Sequence, residues 1–119
     1  MIKIFVNDSK LGGDLYTSAF ETIANGEKLE ITAQSGSLIQ IPRGYDLYLI
    51  HLRDITDEEE IKRLRLEQPS SEIVYTSLCG TPIPFIRTYC DEIAGFLDLN
   101  DLKRLLKNSK LKQEARVKK

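Results

Sequence analysis

Asp46-Leu47-Tyr48-Leu49-Ile50-His51-Leu52-Arg53-Asp54 is the stretch on which the reading of this chain turns. Residues 47–52 form its most hydrophobic strand-like run, and that run carries the single histidine, His51, near its end. A short, continuous apolar run suits a strand covered on both faces, as in a parallel sheet. Comparable runs occupy residues 2–6, 73–75 and 93–97, and Leu29, Ile31 and Ala33 alternate as another strand. Helix-like stretches separate them. Strands alternating with helices imply βαβ units with right-handed crossovers. Five such strands in 119 residues predict a three-layer α/β sandwich around a five-stranded parallel sheet.

The helical stretches carry recognisable signals. After Gly12-Gly13, which reads as a chain break, Asp14 can cap a helix with Leu15, Ala19, Thr22 and Ile23 on one face. Asn25-Gly26 stops it, because glycine accepts the left-handed geometry at a helix end. Thr56-Asp57-Glu58-Glu59 has capping-box form ahead of Ile61 and Leu64. Pro82 and Pro84 admit a helix only after them, with Phe85, Ile86 and Tyr89 as its apolar positions. Asp98 or Asn100 caps a last helix through Leu102, Leu105 and Leu106. Residues 34–45 are the least patterned; one or two turns over 37–41 fit before Pro42 and Gly44.

Composition excludes several classes. Apolar residues make up 41% and charged ones 29%, the balance of an ordinary globular domain. No apolar stretch approaches the roughly 18–20 residues that span a bilayer. The strand pattern starts at Ile2, so no signal peptide is expected. Cys79 and Cys90 lack metal-site spacing, so a reduced, cytoplasmic protein is expected, with a disulfide as the alternative. Charge is unevenly spread: from Lys103 onward eight basic residues face one acid, Glu114, which gives +7, so residues 1–102 carry −8 within a net charge of −1. The chain therefore divides into a body over 1–108 and a basic helix end or tail over 109–119.

The pattern resembles the receiver domain of bacterial response regulators, from the start of the chain to about Leu106. Lys3-Ile4-Phe5-Val6-Asn7-Asp8-Ser9 is similar to the first receiver strand and its acidic pair. Tyr45-Asp46-Leu47-Tyr48-Leu49-Ile50-His51 is similar to the strand presenting the phosphoacceptor aspartate. Ile73-Val74-Tyr75-Thr76-Ser77-Leu78-Cys79-Gly80 resembles the fourth strand with its terminal hydroxyl, and Ala94-Gly95-Phe96-Leu97-Asp98-Leu99-Asn100 the fifth with its aromatic switch position. The resemblance implies a flavodoxin-like strand order, 2-1-3-4-5. It also implies that the chemistry is degenerate: Asn7 replaces one acid beside Asp8, His51 replaces the acceptor, Ser77 keeps the hydroxyl, and Leu99 stands in place of the lysine. One carboxylate holds Mg²⁺ poorly, and a missing lysine removes a partner for phosphoryl charge.

The expectation is a pseudo-receiver: a non-enzymatic signalling module, without cofactor or metal, that acts through a protein partner or a homodimer. By the resemblance its contact surface is the face of the fourth helix, fifth strand and fifth helix, with Phe85, Arg87, Tyr89, Phe96, Leu102 and Lys103. His51 either fills the vacated pocket by bonding Asp8, Asn7 or Ser77, or serves as a pH switch or phosphohistidine. The acids at 54 and 57–60 read as a solvated helix N-terminus. The lysine-rich tail allows unspecific nucleic-acid binding as a further alternative.

Overall fold

Every second residue of a strand points to the same face, and here the two faces bury different partners. The structure, a computed structural model, describes residues 1–8, 10–24, 26–35, 41–51, 58–77, 90–95 and 98–117. In chain order these hold β1 (Ile2–Asn7), α1 (Lys10–Ile23), β2 (Leu29–Gln34), β3 (Leu47–Ile50), α2 (Glu58–Glu67), β4 (Glu72–Ser77), β5 (Glu92–Gly95) and α3 (Leu99–Val117). The strands form one parallel sheet in the order β2-β1-β3-β4-β5. The α/β, flavodoxin-like layout read from the sequence is the layout found.

Ile4 and Val6 of β1 and Leu47 and Leu49 of β3 pack with Tyr16 and Phe20 of α1 and with Leu102 and Leu105 of α3. Phe5, Tyr48 and Ile50 turn the other way, onto Ile61 and Leu64 of α2. Both central strands are buried throughout, apart from a half-buried Lys3, which explains their unbroken apolar runs.

One helix boundary differs from the sequence reading, and at another the structure selects between the alternatives it left open. α1 starts at Lys10, so Gly12-Gly13 lies inside it, and its buried face is Gly12, Gly13, Tyr16 and Phe20 while Leu15 is exposed. Close packing is the reason: a Cβ on Gly13 would stand 3.1 Å from the Cβ of Ala33 in β2. α3 is capped by Asp98, whose Oδ1 accepts from the amides of Asn100 (3.0 Å) and Asp101 (3.1 Å). It then runs unbroken through the basic segment to Val117. Lys110 pairs with Glu27, Lys112 pairs with the buried Glu72, and the Gln113 side chain donates to the Met1 carbonyl at 2.7 Å. Residues 36–40 and 52–57 lie outside the described residues, so the short helix expected over 37–41 and the Thr56 cap do as well.

Residues 41–46 join β2 to β3 along the lower rim, and polar bonds hold them there. Glu60, buried on α2, accepts from the Ile41 amide, and Arg43 reaches both Glu60 (3.1 Å) and Glu67 (2.9 Å). The Tyr48 hydroxyl donates to the Pro42 carbonyl at 2.8 Å. Gly44, at φ 94°, needs the left-handed geometry that only glycine adopts freely.

Candidate functional site

Because β1, β3 and β4 run parallel, their carboxyl ends meet at one rim, the place where open α/β sheets collect ligands. Asn7 closes β1; it is buried, and its side-chain amide donates to the Gln34 carbonyl of β2 at 3.1 Å. Asp8 follows, half-buried, with its own amide 3.3 Å from the same carbonyl. Across the rim the His51 amide donates to the Asn7 carbonyl at 3.0 Å, which joins the ends of β1 and β3. Ser77 ends β4 on the same side, and its side chain lies outside the described set.

The His51 ring is fixed from β4. Its Nδ1 stands 3.0 Å from the Thr76 carbonyl oxygen. A carbonyl only accepts, so Nδ1 carries the hydrogen in this bond. The ring also lies parallel to Tyr75, with centroids 6.4 Å apart and planes 4° from coincidence. Thus the ring's partner is the Thr76 carbonyl, whereas the sequence suggested Asp8, Asn7 or Ser77. That bond depends on the β3–β4 register, in which Ile50 faces Tyr75, and nothing local to residue 51 announces it.

These residues do not fit the Mg²⁺ that the fold type implies. Among the described residues no three of His, Cys, Asp or Glu are grouped to hold a metal. An imidazole is a poor ligand for so hard a cation, and an asparagine oxygen beside one carboxylate is a weaker set than a pair of carboxylates.

Of the remaining expected residues, Leu99, Leu102 and Lys103 belong to α3 and not to a strand end. Leu99 opens α3, is 48% exposed, and lines a groove between α1 and α3 with Ile2 and Ile23. Leu102, expected on an interaction surface, is instead a core residue at 1% exposure, because the first turns of α3 seat it against β1 and β3. Lys103, beside it, is exposed. Phe85, Arg87, Tyr89 and Phe96 lie outside the described residues.

Sequence reading missed the polar frame at the opposite rim. Asp91 accepts from Arg65 and from the Ile73 amide, both at 2.7 Å, and lies 3.6 Å from Lys112. Asp46 accepts from the Lys3 amide at 2.9 Å. Next to Asp91, burial pushes the Cys90 thiol up to about 12, and the Asp91 charge adds to it, so Cys90 has no thiolate character at neutral pH. The hydrogen bond from Arg43 holds the exposed Glu67 carboxyl below its usual range and raises Arg43 itself.

Comparison with known proteins agrees with the geometry. No family model matches the chain, and no curated protein matches it by sequence. Solved structures do. A CheY-like response regulator receiver domain protein from Methanospirillum hungatei superposes with a TM-score of 0.67 at 13% identity, covering 97% of this chain and 98% of that one. The fold is receiver-like. A structure from Burkholderia thailandensis described as a pilus assembly protein (CpaE) gives 0.64 at 16% identity over 92% of this chain and 98% of the other. A pilus assembly-related protein from Burkholderia pseudomallei gives 0.65 at 15%, over 94% and 91%. At such identities the likeness speaks for the receiver-like fold alone.

Proposed function

We propose that this receiver-like chain is a signalling module that works by protein contact and takes no phosphoryl group on an aspartate at the sheet rim. The observation that carries the reading is His51: it stands at the end of the central strand β3, and its ring is committed to the Thr76 carbonyl. Its surroundings support the same view, since Asn7 is turned to β2 and Asp8 is the carboxylate left beside it. Among the described residues, one carboxylate beside an asparagine and a histidine is a poor setting for phosphoryl transfer to an aspartate. The partner, another protein or a second copy in the cytoplasm, would meet the face expected from the resemblance through Phe85, Arg87, Tyr89 and Phe96, whereas Lys103 lies on the α1 side of α3 and Leu102 in the core.

The test is an amide NMR titration with Mg²⁺ and beryllofluoride, a phosphoryl mimic. Unchanged Asp8, His51 and Ser77 signals are expected; saturable shifts there would overturn the reading. A second reading rests on one specific feature: with Nδ1 donating to a carbonyl, Nε2 is presented as a nucleophilic nitrogen. Acid-labile phosphate that disappears in His51→Ala would establish it in place of the first.

A further inference from the structure

Beside the sheet, between the end of α1 and one side of α3, lies a cavity of about 700 Å³ that none of the rim residues enters. Its size falls in the range that holds small molecules, roughly 300–1,000 Å³. Ile2, Ile23, Leu99 and Leu106 supply apolar lining, with Ile2 and Leu106 buried beneath it. Lys103 and Lys107, one helical turn apart on α3, line it as well. Both are exposed, and neither forms an ion pair among the described residues. The third lysine of this wall, Lys110, is already neutralised by Glu27, and Thr22 donates its hydroxyl to the Ser18 carbonyl at 2.9 Å. What the groove offers is therefore an apolar trough with two uncommitted cations on one edge.

We propose that this groove binds a small anionic amphiphile, with a carboxylate or phosphate head on Lys103 and Lys107 and an apolar chain over Ile2, Ile23, Leu99 and Leu106. The two halves of the lining explain why both parts of the ligand are needed. A free inorganic anion meets two solvated lysines, a weak site by itself. A neutral hydrocarbon gains from the trough but leaves the cations unanswered. One molecule bearing both gains from each at once. The occupant is a single soluble molecule rather than a membrane surface, because Leu106 and Ile2 at the base of the trough are buried below the exposed lysines.

The test uses the full chain and four probes: decyl phosphate below its micelle concentration, decanoate, inorganic phosphate, and phosphatidylglycerol vesicles. Amide NMR titration is expected to show saturable shifts confined to Ile2, Ile23 and residues 99–110 with decyl phosphate and decanoate. Inorganic phosphate is expected to bind at least tenfold more weakly. The exposed positions allow Lys103→Gln/Lys107→Gln and Leu99→Gln to fold, which circular dichroism checks; each is expected to weaken decyl phosphate at least tenfold. Equal affinity in the lysine variant, shifts scattered over the surface, or binding to vesicles alone would each overturn the proposal. Concentration-dependent dimerisation that blocks the shifts would replace the amphiphile by a second copy of the chain, and so would also overturn it.

Discussion

Tyr48 shows how much one hydroxyl can hold. It is fully buried on the α2 face, donates to the Pro42 carbonyl at 2.8 Å and accepts from the Tyr45 amide at 3.3 Å. Tyr48→Phe keeps the ring packing but leaves a half-buried carbonyl and an amide short of a partner. The expected loss is about 1–2 kcal/mol in urea unfolding, with little change in slope. Cys90 sets an alkaline limit. Its thiol is raised in the fold to about 12 from an ordinary 9.0, so the folded state keeps a proton that the unfolded chain releases. That contribution is complete below pH 9 and is lost as pH climbs toward 12. Tyr48, raised by burial, acts in the same direction. The urea midpoint should fall as pH rises above 9, and the fall should be shallower in Cys90→Ala. Iodoacetamide should modify Cys90 slowly until the chain is unfolded.

Elements were legible in the sequence where burial alone makes them. β1, β3 and β4 are covered on both faces, so their apolar runs needed no context. α1 was misjudged because a glycine pair inside a helix looks like a break, while the requirement behind it, close approach to Ala33, comes from another element. Gly13→Ala gains up to about 1 kcal/mol of helix propensity yet must push α1 off β2. The net expected effect is destabilising by about 1 kcal/mol, recovered in part by Ala33→Gly in the same chain; a stabilised Gly13→Ala would show that the helix yields freely. Ser109 is the opposite case. Its hydroxyl is buried in α3 and has no hydrogen-bond partner among the described residues. Ser109→Ala should raise stability by about 0.5–1 kcal/mol in the same assay, through helix propensity and the removed polar burial. At the rim, the chain pattern located His51 at a strand end but could not name Thr76 as its partner. The ion pairs of Arg43 and Lys112 escaped notice for the same reason, since their partners lie far along the chain.

Across the whole molecule, α3 ties the last third of the chain to its beginning. Removing residues 109–117 deletes the buried Ser109, the Gln113 link to Met1, and the cation opposite the buried Glu72. Leaving that carboxylate uncompensated should cost roughly 3 kcal/mol or more, read as a lowered urea midpoint. A solvated tail would leave the midpoint unchanged. The same tie bears on how the molecule comes into being. Ile2, Ile4 and Val6 share one core with Leu102, Leu105 and Leu106, and all the strand pairs are parallel, so no hairpin can form early. On a ribosome the first strand emerges long before the helix that covers it. Until about a hundred residues more have left the exit tunnel, its apolar face has α1 but not α3 as native cover, and the nascent chain must wait, shielded by chaperones or by its own loose collapse.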